Sequence, residues 1–237
     1  VTSIKTSLNP QQGKSGEQLE STAKVARLLL APIEYLAAQS DRWQRYLQRI
    51  ADQVPEERRV EAHPQVSGPV LEGLRYVDEH SIIADLFINL LARAVDRDRV
   101  SEAHPAFSNI IAQLSADEAL IIFWLQKKRY LYRTYIPLNP EAKGILSNQA
   151  KVIENEFPTD KLIFPENFAM YIDHLDSLNL AELRPEDHSD SIFDEEQPTV
   201  QIGLNIPYSA DLTPFGRMFA QACVPEELPA STSSGLT

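Results

Sequence analysis

Few residues in this chain have the type and spacing that chemistry requires. Five histidines are present (His63, His80, His104, His174 and His188), with one cysteine, Cys223. None has the short His or Cys spacing of a zinc site. His63-Pro64 and His104-Pro105 read as helix starts. Glu186, Asp187, Asp190, Asp194, Glu195 and Glu196 crowd one stretch, without the regular ligand order and glycine turn of a calcium loop. No glycine-rich phosphate loop and no Gly-x-Ser-x-Gly nucleophile elbow occurs. Cys223 falls in an apolar helical stretch and reads as a buried small residue. The sequence therefore offers no catalytic constellation, cofactor site or metal site, and the expectation is a non-enzymatic protein.

Two sets of residues remain as interaction candidates. Lys127, Lys128, Arg129 and Arg133 are interleaved with Trp124, Tyr130, Tyr132 and Tyr135. Cations among aromatics can hold single-stranded nucleic acid by charge and stacking. The competing reading is a basic helix end followed by a buried aromatic strand. The second set is Asp85, Asn89 and Arg93, which fall on one stripe at helical periodicity. That stripe either faces a partner or is bonded within the core.

Residues 82–95 are the element that must position this stripe. Apart from those three side chains they are all apolar, more than a one-sided surface helix carries. They predict a central helix packed on from several sides. Ahead of it, residues 1–20 are polar and predict a flexible tail. Val25, Leu29, Ile33, Leu36, Trp43, Leu47, Ile50 and Val54 form one helical stripe, broken or kinked at Pro32. Pro69 reads as a further helix start. The charged run Asp96–Glu102 reads as an exposed connector. A helix with Phe107, Ile110, Ile111 and Leu114 on one face follows.

Ser115 with Glu118 forms a capping box opening the apolar run 119–125. Tyr130–Ile136 predicts a strand, stopped by Pro137 and Pro140. Glu141–Phe157 predicts a weaker helix and Asn167–Leu180 another. A strand starts in Leu180–Leu183. The acidic stretch 185–198 reads as a loop, and Thr199–Ile206 alternates as a strand. Thr213-Pro214 starts a last helix ending at Cys223, and a second flexible tail follows.

The resulting fold class is mainly α: a helical domain over 21–114 and a second, mixed domain with a small antiparallel sheet over 115–224, between tails at 1–20 and 225–237. With 237 residues and 43% hydrophobic content, the chain can bury a proper core. Its formal net charge of −12 argues against a general binder of nucleic acid or anionic membrane. A lone cysteine, no signal pattern and no spanning segment lead to an expectation of a cytoplasmic protein.

Two resemblances add to this reading. GPVLEGLRYVDEHSIIADLFINLLARAVD, then HPAFSNIIAQLSADEALII, resembles the Abi-alpha family, named for a link to abortive infection; HPAF and QLSADEA carry most of the match. HLDSLNLAEL and LTPFGRMFAQAC extend it more loosely toward the C-terminus. The resemblance implies a part in phage resistance through a protein partner of phage or host origin. It implies no catalytic residue and leaves oligomeric state open. The order of elements from 115 to 223 is also similar to a winged-helix domain, through Leu175, Leu178, Leu180, Leu212-Thr213 and Gly216. In nucleic-acid-binding members, a recognition helix and a wing carry positive charge. Here the corresponding helix region carries Glu166, Asp173, Asp176 and Glu182 against Arg184 and His174, and the wing carries six acids and no base. A nucleic-acid-binding regulator using Lys127–Arg133 is the alternative that follows from this second likeness.

Overall fold

Ser81 opens the central helix by accepting a hydrogen bond from the Ala84 amide on its hydroxyl. The computed structural model describes residues 41–139, 144–145 and 149–228. The expected tail at 1–20, the stripe at Val25–Leu36 with its Pro32 break, and the end of the second tail lie outside those residues. Residues 41–53 are helical (α1). Up to residue 49 the chain clusters as one unit, within which Arg42 Nε donates to the Tyr46 hydroxyl at 2.7 Å. Ile50–Thr237 forms a second unit.

In that second unit, α2 spans Pro64–Leu74, α3 Ile82–Ala94, α4 Ala106–Ile111, α5 Ala116–Lys127, α6 Phe168–Ser177 and α7 Pro214–Cys223. Ten of the thirteen residues of α3 are buried. It packs on α2, α4, α5 and α7, so the helix wrapped by others is found as the sequence demanded. The approach of α2 is close: a side chain at Gly73 would meet the Phe87 ring. Helix α2 begins at His63-Pro64, and Pro69 lies inside it rather than at its start. The connector Asp96–Glu102 is less exposed than its charge predicts. Asp96 is buried and pairs with Arg58 at 3.0 Å, which balances a carboxylate that water no longer reaches.

The mainly α fold class needs correction. Among the described residues, six strands form a mixed-length antiparallel sheet that occupies much of the C-terminal half: β1 Tyr130–Asn139, β2 Gly144–Ile145, β3 Lys151–Asn155, β4 Ala181–Pro185, β5 Asp190–Phe193 and β6 Gln201–Leu212. The architecture is α+β. The helix expected over 141–157 is not found in its described parts, which contain β2 and β3, paired with β1. With that helix replaced by strands, the helix pair that a winged-helix domain requires loses its first member. The acidic stretch is not all loop either, since it holds β5.

Strands β1 and β6 lie side by side at the centre, paired from Tyr130↔Ala210 to Pro137↔Gly203. Two short strands line each outer side. β3 and β2 follow one another along β1, and β4 and β5 along β6. Proline lacks the amide a ladder needs and is excluded from most central strands. Both internal prolines sit where the loss is harmless. Pro137 falls between the stretches of β1 paired to β3 and β2; Pro207 falls between those of β6 paired to β4 and β5. Strand β1 therefore runs through Pro137 to Asn139 instead of stopping before it.

Candidate functional site

The stripe on α3 points at the end of α7. Asn89 Nδ2 donates to the Cys223 carbonyl at 2.9 Å and its Oδ1 accepts from Gln53 at 3.2 Å. Arg93 donates to the Gln221 carbonyl at 3.4 Å. Its Nε also lies 3.3 Å from Glu102, near enough for attraction but poorly angled for a hydrogen bond. The last carbonyls of a helix lack partners within it and carry partial negative charge. Asn89 and Arg93 supply both a donor and a cation there. Asp85, one turn earlier, is 6% exposed. The geometry directs these side chains inward.

The basic cluster is separated by its own neighbours. Lys127 Nζ donates to the Glu226 carbonyl at 2.7 Å and lies 4.9 Å from the centre of the Phe123 ring. Lys128 Nζ lies 4.6 Å from the centre of the Tyr130 ring. Arg129 is 3.8 Å from Glu186, and Arg133 is 3.4 Å from Glu154. These exposed pairs add little stability. They do place acids beside the cations that a phosphate would have to reach. Of the interleaved aromatics, Tyr130 is buried and Tyr132 packs near Phe168 with ring centres 6.1 Å apart. A cleft of about 370 Å³ lies beside the cluster, lined by Arg129, Tyr130, Leu131, Glu156, Glu186 and Ser209, two carboxylates to one guanidinium.

A third polar site, around Asp117 and Glu118, was not legible as a site in the sequence. Ser115 and Glu118 form the expected capping box at the start of α5. Glu118 Oε2 accepts from the Ser115 amide at 2.7 Å, while Oε1 reaches across to His174 Nδ1 on α6 at 2.5 Å. Asp117, 2% exposed, takes three donors: the Ile163 and Phe164 amides at 2.7 and 2.9 Å and the Tyr171 hydroxyl at 3.1 Å. Burial raises the Tyr171 phenol above its ordinary pKa; Asn167 opposes this, and the bond to Asp117 reinforces it. The acids lie at a helix N-terminus, where negative charge is favoured. With both Asp117 oxygens engaged, this carboxylate orients and clamps. The segment that it clamps carries Ile163 and Phe164, 54% and 53% exposed, ahead of Met170 in the first turn of α6, also half-exposed. The one sequence signal was the pair of acids after Ser115; their partners lie some fifty residues away.

Other chemistry finds no support among the described residues. No group of three or more His, Cys, Asp or Glu residues has the geometry of a metal site. Burial pushes the Cys223 thiol well up, opposite to what a nucleophile requires. No described helix is long and apolar enough to cross a membrane.

Fold and site together define an α+β protein with a helix-wrapped helix, an antiparallel sheet and a rigidly held apolar loop. The chain belongs to the abortive infection alpha family, whose model matches residues 38–223. No curated protein and no solved structure matches it.

Proposed function

We propose that this protein takes part in abortive infection, in resistance to phage, as a non-enzymatic component acting through protein contacts in the cytoplasm. Membership of the abortive infection alpha family supplies the biological context. The observation that carries the mode of action is the clamp at Asp117, which fixes the backbone beneath two half-exposed apolar side chains. Holding a large apolar side chain in water costs solvation, and a fixed backbone lowers the entropy lost on binding. The same combination is wasteful in a protein without a partner. The neutralising acids around Lys127–Arg133 argue against phosphate recognition there.

Phage plating efficiency on cells expressing the chain tests this. The Ile163→Ser/Phe164→Ser variant, whose changes are at exposed positions, retains its thermal unfolding profile and loses protection. Protection unchanged by that variant overturns the reading. So does catalytic turnover of nucleotides or nucleic acids by the purified chain. Salt-sensitive DNA or RNA binding that disappears in a Lys127→Glu/Lys128→Glu/Arg129→Glu variant, together with protection, replaces it with nucleic-acid recognition.

A further inference from the structure

The sheet has two sides on which another strand can add, and they are not equivalent. An outer strand exposes a row of backbone donors and acceptors, which proteins protect with charges, bulges or covering elements. Strand β3 is protected by its own irregularity. Arg133 pairs with Glu154 and Thr134 with Val152, so Ile153 is an extra residue that kinks the outer line. In β5 the irregularity is on the inner neighbour: Ile192 pairs with Gly203 and Phe193 with Gln201, which leaves Ile202 of β6 as the extra residue. The line of β5 itself is regular from Asp190 to Phe193. Among the described residues β5 pairs with β6 alone, and Asp190, Ser191 and Phe193 are exposed while Ile192 is partly so. An outer strand with both faces open to water is the arrangement that β-augmentation uses.

Charge decides what can add there. From residue 185 to 198 there are six acids and neither Lys nor Arg. Glu186 reaches Arg129 at 3.8 Å; Asp187, Asp190, Asp194, Glu195 and Glu196 form no ion pair among the described residues. Asp194 uses its carboxylate to accept the Glu196 and Gln197 amides, which fixes the turn into β6 and holds the strand end in place. A second copy of β5 laid alongside would set these carboxylates against one another, which is destabilising. A strand of opposite charge gains on both counts.

We infer that the outer side of β5 binds an extended, Lys/Arg-rich segment of a partner protein, which joins the sheet as a further strand beside Asp190–Phe193. Main-chain hydrogen bonds supply the pairing. Phe193, half-exposed, meets the partner's apolar residues on its face of the sheet, and the alternating cations fall on the opposite face with Asp190 and Ile192. The surrounding acids select the sign of the partner and speed encounter. This inference rests on the protein-contact reading above and specifies the chemistry of one partner.

The test uses the full chain and three synthetic probes: a peptide alternating Lys with Val, the same peptide with every second amide N-methylated, and its Glu-for-Lys counterpart. Fluorescence anisotropy at low and raised salt measures binding, and amide hydrogen exchange locates it. The Lys-Val peptide binds, weakens as salt rises, and slows exchange within 190–193. N-methylation weakens it about tenfold or more, since it removes pairing and keeps charge. The Asp190→Lys/Glu195→Lys/Glu196→Lys variant, which spares the Asp194 turn, weakens it at least as much and accepts the Glu peptide in its place. Equal binding of the N-methylated peptide would mean simple polyelectrolyte attraction and overturns the inference. So does absence of binding at low salt, protection at some other part of the sheet, or self-association through β5. Phage plating separates the two readings. If the triple Lys variant protects fully while Ile163→Ser/Phe164→Ser does not, the β5 inference fails and the protein-contact reading stands. If Ile163→Ser/Phe164→Ser protects fully, that reading fails whatever the peptides do.

Discussion

Replacing Asp117 by alanine removes the acceptor of three donors at once. Two are backbone amides, at 2.7 and 2.9 Å, and one is the Tyr171 hydroxyl at 3.1 Å. A hydrogen bond to a charged acceptor contributes about 1.5–3 kcal/mol net, and a donor left buried and unpaired costs a further part of its hydration. The three terms do not add fully. The amides of Ile163 and Phe164 lie under half-exposed side chains, so water can reach them once the carboxylate is gone. Tyr171 is buried and has no such recourse. The balance is a loss of about 3 kcal/mol, and a domain of this size loses about 2–4 °C of Tm per kcal/mol, so Tm falls by about 10 °C. Tyr171→Phe removes one donor and leaves the carboxylate two, which limits its cost to about 1 kcal/mol. Urea unfolding of the two variants, with hydrogen exchange at the Ile163 and Phe164 amides, measures both effects. A change of under about 0.5 kcal/mol in Asp117→Ala, or unaltered exchange at those two amides, refutes the clamp.

Three other outcomes follow from particular contacts. A Cβ at Gly216 would lie 1.8 Å from the Leu180 carbonyl oxygen, which is backbone and cannot rotate away. Gly216→Ala gains about 1 kcal/mol of helix propensity but meets an overpacking cost of about 1–3 kcal/mol or more, so urea unfolding shows net destabilisation. Cys223 is fully buried with its thiol pKa pushed well up, so a chromogenic disulfide reagent labels it only as fast as the chain unfolds; rapid labelling of native protein contradicts this. The Tyr130, Tyr132 and Tyr171 phenols are all raised, chiefly by burial. The unfolded chain then releases these protons at lower pH than the native one. Stability is intact below the usual tyrosine pKa and falls as pH rises past it toward the native values, and Tyr171→Phe makes that alkaline decline shallower in pH-dependent urea titrations.

The helices were legible where packing and capping agree. Ser115 with Glu118 before α5 and Thr213-Pro214 before α7 each mark a start that the structure places where the sequence did. Residues 82–95 were identifiable as central because their apolar surface exceeds what one contact can cover. The sheet was only half legible. Glu141–Phe157 has Ala, Lys, Glu and Gln at helix-friendly positions, and pairing with β1 overrides that weak preference. Strand β5 escaped notice because Ile192 and Phe193 are its only apolar residues, and acids surround them. Pro137 was read as a stop because a local rule cannot show that the neighbouring strand has already ended. The site around Asp117 was invisible for a related reason. Asp117, Tyr171 and His174 meet only after the strands between α5 and α6 have folded back, and no spacing along the chain records that meeting.

The placement of Pro137 and Pro207 has a further consequence. Each outer side of the sheet is fastened in two lengths among the described residues: on the β1 side they part around Pro137, and on the β6 side just past Pro207, whose carbonyl still accepts the Glu186 amide at 2.9 Å. One length can loosen without unzipping the other, because among the described residues no continuous ladder ties β4 to β5 or β3 to β2. The half of the sheet away from α6 is thus free to accept or shed a neighbour, while β4, against which α6 packs, keeps its place.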